Sequence, residues 1–320
     1  MIDAVWLREL CLAAGADDAA AVSLDHADLA GEREHALAAL PGTRSLVAMV
    51  FRMNRDNCRS PARSVANQEF HQTDEQANHA ARGVTQALQD AGYRALNPSV
   101  AFPQEMDRYP GRIWVVAHKT VAVAAGLGVM GLHRNVIHPK FGSFVLLATV
   151  LVDAEVSHYG QALDYNPCID CKLCVAACPV GAIRKTGEFD GLACATHNYR
   201  EFMSGFTDWV QTVADSEDAA DYRSRVTDSE SASMWQSLAS PPGYKSGYCL
   251  AVCPAGEDVL GPYLDDRKTF MDTVLRPLQE KKETLYVLPG SPAQEYAQRR
   301  FPHKPTKEVS GGWQPPAKKP

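Results

Sequence analysis

Long apolar runs, a surplus of positive charge and a disulfide framework are all missing from this chain. No apolar run approaches the roughly 20 residues that a membrane-spanning helix requires, so no membrane span is expected. The opening Met-Ile-Asp-Ala-Val-Trp-Leu-Arg lacks a basic segment followed by an apolar core, and it lacks a twin arginine. That predicts no export signal and a cytoplasmic protein. With 32 Lys and Arg against 38 Asp and Glu, the formal net charge is -6. Bulk electrostatics therefore offers nucleic acid no attraction. Of the 9 cysteines, seven fall in a metal-ligand pattern, leaving Cys11 and Cys58. With that allocation no disulfide framework is read, which suits a reducing compartment. Cys11 lies on the apolar face of the first predicted helix, where it acts as a small hydrophobe.

The pattern itself is Cys168-Ile-Asp-Cys171-Lys-Leu-Cys174-Val-Ala-Ala-Cys178-Pro179. Three cysteines at two-residue spacers, then a fourth after three residues and a proline, is the run of bacterial two-cluster ferredoxins. Its first three thiolates serve one cluster, and the fourth serves the other. A structural zinc would call instead for two CxxC pairs joined by a knuckle. Downstream lie Cys194 and then Cys249-Leu-Ala-Val-Cys253-Pro254, whose ending repeats that of the first run. One [4Fe–4S] centre is thus assigned Cys168, Cys171, Cys174 and Cys253. The second receives Cys178, Cys194 and Cys249, with Ser246 where a further cysteine would fall. One thiolate short, it is either [3Fe–4S] or a [4Fe–4S] cluster with a non-thiolate ligand. His197 is a competing occupant of the open position.

Elsewhere the coarse pattern is mixed. Helical spacing marks Trp6 to Ala14, Glu32 to Leu40 and Val65 to Asp90. Ser45–Phe51 and Ser143–Asp153 read as buried strands. Asn54 to Ser64 reads as polar loop, and Arg112–Gly126 leans towards helix by its length. Between Cys194 and Cys249 the spacing predicts two or three helices, with Trp235 and Leu238 on a core face and the acidic residues solvated. A helix near Arg267–Leu275, a strand Thr284–Leu288 and a helix Pro292–Arg299 follow, and the chain from Phe301 reads as irregular.

Gly126-Leu-Gly128-Val-Met-Gly131 matches the dinucleotide fingerprint, but a helix must then separate the glycines from the next strand. Here only a short segment with Pro139 intervenes. The glycines instead let backbone approach a ligand closely, or simply form a turn into a central strand.

Taken in order, Ala125-Gly-Leu-Gly128-x-x-Gly131, His133, Ile137-x-Pro139-x-Phe141-Gly142-Ser-Phe, a strand ending at Asp153 and the cysteine run resemble the cobalamin-dependent iron–sulfur reductases. These are the epoxyqueuosine reductases and the reductive dehalogenases. The resemblance runs from about residue 40 to about residue 260. It implies an α/β (α+β) nitroreductase-like domain that binds a corrinoid base-off, beside a two-cluster ferredoxin domain. It also implies that Gly126, Gly128, Gly131, His133, Gly142 and Ser143 line the corrinoid. Where epoxyqueuosine reductases carry Asp-Ser-Ala-Pro, this chain has Arg112 in Gly111-Arg-Ile-Trp. No helical-repeat tail of the kind that helps some relatives grip tRNA is expected.

The resulting expectations are concrete. Residues 1–160 form the corrinoid-binding domain, 161–265 the ferredoxin domain with a helical insert at 195–245, and 266–320 an extension. A ferredoxin- or flavodoxin-type donor supplies electrons through the clusters to cobalamin, which reduces a small-molecule substrate. Tyr109, Arg112 and His133 are the candidates for proton delivery or anion stabilisation. Nucleic acid and membrane are not among the expected partners. The rival roles are a corrinoid-processing protein and a plain electron carrier.

Overall fold

The computed structural model describes residues 1–108, 111–168, 170–241, 243–245 and 247–309. Tyr109 and Ser246 lie outside the described residues. The chain divides into two compact units that do not follow chain order. The first comprises Met1–Arg55, Glu69–Asp170 and Pro254–Asp265, and the second Asp56–Gln68, Cys171–Cys253 and Asp266–Pro320.

The first unit is built on strands β1 (Asp18–Ser23), β2 (Ser45–Arg52), β3 (Ala95–Leu96), β4 (Val129–Met130), β5 (Val136–Ile137) and β6 (Val145–Val152). Four of them form one antiparallel sheet in the order β1-β2-β6-β3. Along β2, Ser45 lies opposite Val152 and Arg52 opposite Val145. Alternation along a strand sends successive side chains to opposite faces. Val47, Met49 and Phe51 therefore join Leu7, Cys11, Ala77, Ala81, Val84 and Leu88 in one core layer. Leu46, Ala48 and Val50 join Val121, Ala122, Leu147 and Leu151 in the other. Both faces are covered, so β2 reads as unbroken apolar sequence. The helix Arg63–Asp90 supplies Ala77, Ala80, Ala81, Val84 and Leu88 at helical spacing, small residues that allow close packing on the sheet. This is a mixed α/β (α+β) fold, as expected.

Two readings in the N-terminal part of the chain change. Arg112–Gly126 is helical only over His118–Ala124. The buried Glu32 carboxylate explains the late start, because it accepts the Ala117 N–H at 2.8 Å and the Nη1 of Arg112 at 3.1 Å. Asn54–Ser64 contains a short helix, Arg55–Arg59.

In the second unit the insert carries the helices Ser204–Ala214, Ala219–Arg225 and Asp228–Ala239, after the Cys194 helix Gly191–Asn198. The side chains of Asp190, Asp218 and Thr227 each accept a backbone N–H at a helix start. Trp235 and Leu238 are 66% and 60% exposed, whereas their neighbour Met234 is fully buried. The helical spacing was real, but the buried face is the one carrying Met234. The segment after Phe301 is not irregular throughout. Strands β7 (Leu285–Val287) and β8 (Thr306–Glu308) pair in parallel, and Phe301 and Lys304 are buried. Among the described residues, no helix is long and apolar enough to cross a membrane.

Candidate iron–sulfur site and the glycine loop

The cysteine run does not form a regular element at its start. Asp170 and Lys172 both adopt left-handed backbone (φ 54° and 51°), a conformation uncommon for non-glycine residues. Two such residues in three coil the chain tightly, as thiolates spaced along one cluster require. A five-residue helix, Leu173–Ala177, then carries Cys174 to Cys178. The second Cys-Pro run opens on another short helix, Tyr248–Ala251, and the two helices pack together. The ends of both runs therefore meet inside the second unit, the arrangement that a two-cluster ferredoxin needs.

The thiols sit among donors suited to holding them as thiolates. Ala182 N–H donates to Cys178 Sγ at 3.2 Å, and in the first unit Leu132 N–H donates to Cys168 Sγ at 3.3 Å. Cys174, Cys178 and Cys253 are buried. Among the described residues, no group of three or more His, Cys, Asp or Glu side chains converges on a single-ion site. A cubane spreads its thiolates over separate irons, one to each. The donor set and the coiled loop fit iron–sulfur clusters.

The glycine loop has a packing reason for each glycine. Gly142 has φ 64°, and a Cβ there would overlap the Ala255 carbonyl oxygen. At Gly126 (φ 78°) a Cβ would overlap the Gln161 carbonyl. A Cβ on Gly128 would lie 2.6 Å from Ile137 O, and one on Gly131 2.7 Å from the His133 ring. These faces are filled by the chain itself, so β-branched substitutions there report on folding before they report on any ligand. Gly142→Val is expected to cost about 3 kcal/mol of stability, from left-handed strain and overpacking together. Urea denaturation measures it.

Ser143 is fully buried, and so is His133, with 4% exposure. His133 Nδ1 accepts the Asn135 N–H at 3.1 Å, so the neutral ring carries its proton on Nε2. That Nε2 is buried and has no hydrogen-bond partner. A buried donor without a protein acceptor is the kind of group that a ligand bound at this loop would satisfy. Burial pushes the His133 pKa down to about 4, with the Lys119 charge assisting. Arg112 is placed differently. Its guanidinium pairs with Glu32 through both terminal nitrogens, and its Nε donates to Trp114 O at 3.1 Å. It anchors the start of the His118 helix.

Sequence reasoning passed over His138 and His118. His138 Nε2 bonds Asp18 at 3.1 Å, while its Nδ1 accepts the Lys140 and Phe141 amides and ties the Ile137–Gly142 turn. His118 bridges Thr149 Oγ1 and Ser99 O. Asp18, Thr149 and Ser99 lie far from these histidines in sequence, so no local signal marked them. A separate cavity of about 390 Å³ is lined by Leu7, Arg8, Cys11, Asp18, Gly126 and His158, among others. It is at the lower end of the volumes used by drug-sized ligands, too small for a corrinoid.

Burial likewise lowers the His197 pKa to about 4. Both histidines are proton-binding groups whose folded pKa lies below the unfolded value near 6.5. The unfolded chain therefore takes up protons first, and stability falls as pH drops from 6.5 towards 4. Each histidine contributes about 3 kcal/mol over that window. Denaturation of the apoprotein at pH 7 and pH 4.5 should show the loss, and His133→Gln should shrink it.

Residues 162–184 match the 4Fe-4S binding domain family. An epoxyqueuosine reductase of Cellulophaga algicola is 31% identical over 119 residues, covering 33% of this chain and 38% of that protein. One from Synechococcus is 28% identical over 161 residues, covering 48% and 45%. The chain thus spans between a third and a half of the length of these curated relatives. Among solved structures, a catabolic reductive dehalogenase aligns over 92% of this chain and 34% of its own, at 14% identity and TM-score 0.49. An epoxyqueuosine reductase with an epoxyqueuosine-modified tRNA stem loop aligns over 60% and 56%, at 17% identity and TM-score 0.40. Neither structural likeness carries weight alone.

The names do correct one expectation. Nucleic acid was set aside on net charge, yet the curated relatives are epoxyqueuosine reductases, and a protein of that name is solved with a tRNA stem loop. Net charge is a sum over the whole chain and says nothing of one face, which is where phosphates are met. The chain carries a 4Fe-4S binding domain and is a relative of the epoxyqueuosine reductases.

Proposed function

We propose that this chain is a cytoplasmic oxidoreductase, a reductase served by two iron–sulfur centres and a corrinoid held at the Gly126–Ser143 loop. The observation that supports this best is the hydrogen bond from Leu132 N–H to Cys168 Sγ. It sets the glycine loop directly against the first cysteine of the cluster run. When bound, the clusters supply single electrons drawn from a ferredoxin- or flavodoxin-type donor, and the corrinoid supplies a strongly reducing metal.

The chain's own part is position and proton. His133 holds a proton at Nε2 in a dry setting and stays neutral at physiological pH, so it donates a hydrogen bond without adding charge. Glu32 and Arg112 fix the helix behind the loop. Tyr109 remains the candidate proton donor. The substrate to test first is epoxyqueuosine in a tRNA stem loop, following the relatives' names.

The test is anaerobic protein loaded with hydroxocobalamin and assayed with a low-potential donor. Retention of about one corrinoid per chain through gel filtration, with a base-off spectrum, is expected. Turnover of the stem loop supports the reductase reading. Turnover of the corrinoid alone would move the assignment to corrinoid processing, and no retention by protein with intact clusters would end it.

A further inference from the structure

The second unit gathers unbalanced positive charge at partly buried positions: Lys304 is buried, whereas Lys245, Arg63 and Lys281 are of intermediate exposure. Glu201 is 2% exposed at its side chain and pairs with both Arg63 and Lys245. Lys304, 1% exposed, bonds Glu283 at 2.8 Å, and Tyr248 Oη donates to the same carboxylate oxygen at 2.8 Å. Lys281 has no carboxylate paired with it among the described residues. Its Nζ lies 5.5 Å from the Tyr248 ring centre, beside Lys304 at 5.7 Å. Four cations against two carboxylates leave an excess of two positive charges. The neighbouring set of Arg200 and Lys307 with Asp208 and Glu230 balances itself and cannot absorb them. Even a partly buried excess of one sign is unfavourable unless an opposite charge lies close.

His197 adds a second, independent observation. It is 1% exposed, and its Nδ1 accepts the Tyr286 N–H at 3.3 Å, which leaves the proton on Nε2. That buried Nε2 has no partner. The residue sits one helical turn beyond Cys194, so both lie on one face of the helix Gly191–Asn198. Tyr248, on which Lys281 and Lys304 stack, directly precedes Cys249. By position in the chain, the charge excess and the orphan donor both neighbour cysteines of the second centre: His197 through the Cys194 helix and the lysines through Tyr248 beside Cys249.

We infer that Lys281, Lys245, Lys304 and Arg63 are the counter-charge of the second iron–sulfur centre, that His197 donates its Nε2–H to a sulfur there, and that together they hold its reduction potential up. The inference rests on the iron–sulfur reading above. A thiolate-ligated cluster is a net anion and becomes more so when one electron enters. Nearby cations and N–H···S bonds favour the reduced form, and these are the levers that set such potentials. No proton moves in the step. This reading makes His197 a hydrogen-bond donor, not the ligand that fills the open iron. The second centre then collects the electron first from the external donor.

The test is an anaerobic redox titration with dithionite, followed by electron paramagnetic resonance, on the full-length cluster-loaded chain. Lys281→Met is expected to shift the reduced-to-oxidised ratio of the second centre about tenfold towards oxidised at a fixed potential, or about 59 mV for one electron. The first centre is expected to stay put, and Lys281→Arg to restore the second. If Lys281→Met does not retain the centre, His197→Phe keeps a ring and removes the N–H, and a lowered potential is expected there too. Equal potentials in wild type and variant, with both centres present, overturn this inference and leave the iron–sulfur reading standing. A wild-type chain that assembles no second centre overturns both.

Discussion

Cys171→Ser is expected to cut donor-driven reductase activity by about a hundredfold or more while leaving the fold in place. Serine removes the thiolate at the middle of the first run. An unperturbed thiol ionises near pH 8.5, whereas a hydroxyl stays protonated at neutral pH and binds iron poorly. Cys171 belongs to the coiled segment with left-handed Asp170 and Lys172, which has no regular hydrogen-bond ladder to lose. The helices Leu173–Ala177 and Tyr248–Ala251 pack together, and their Leu173, Ala177, Leu250 and Ala251 are buried. Circular dichroism should therefore match the wild type, and corrinoid retention should persist. Unchanged activity would mean that electrons do not pass through the first centre.

Arg200→Met is expected to destabilise the second unit by about 3–5 kcal/mol. Arg200 is 1% exposed, and its guanidinium reaches Glu230 at 2.8 Å, Asp208 at 3.1 Å and Gly205 O at 2.8 Å, over the Tyr286 ring. Burial pushes the Glu230 carboxyl up, and the Lys307 hydrogen bond with the Arg200 charge outweighs it, leaving Glu230 below the ordinary carboxylate range. Methionine fills the volume but takes the guanidinium away from the buried Asp208 and leaves Glu230 with Lys307. Thermal unfolding should move down by about 10 °C. Adding Asp208→Asn should recover part of it, because the buried charge that faced the guanidinium is then gone. A shift under about 1 kcal/mol would place the network among surface ion pairs of little worth.

How much of this was legible depended on whether the cause was local. Ser45–Arg52 announced itself because both faces of β2 are covered and every residue through Phe51 is buried. The Cys-Pro runs were legible because cluster ligation dictates spacing. Strand β1 was not, since Asp18-Ala-Ala-Ala-Val-Ser23 is alanine-rich and becomes a strand only by pairing with β2. The late start of the His118 helix depends on Glu32, some 85 residues upstream of Ala117. Lys304 looked like part of a loose tail, yet Glu283 and the Leu278 carbonyl hold its ammonium in the interior. The glycine loop was found by pattern, while the reason for each glycine lay in carbonyls of Gln161, Ile137 and Ala255 that no pattern displays.

Two unequal iron–sulfur centres are proposed for this chain, the second on Cys178, Cys194 and Cys249 alone among its thiolates. Iron and acid-labile sulfide counted per chain, with electron paramagnetic resonance before and after mild oxidation, test this directly. About eight irons are expected as isolated, falling to about seven on oxidation with a [3Fe–4S] signal that Ser246→Cys suppresses. About eight irons retained through oxidation with no such signal would contradict the open position, and about four would contradict the second centre altogether.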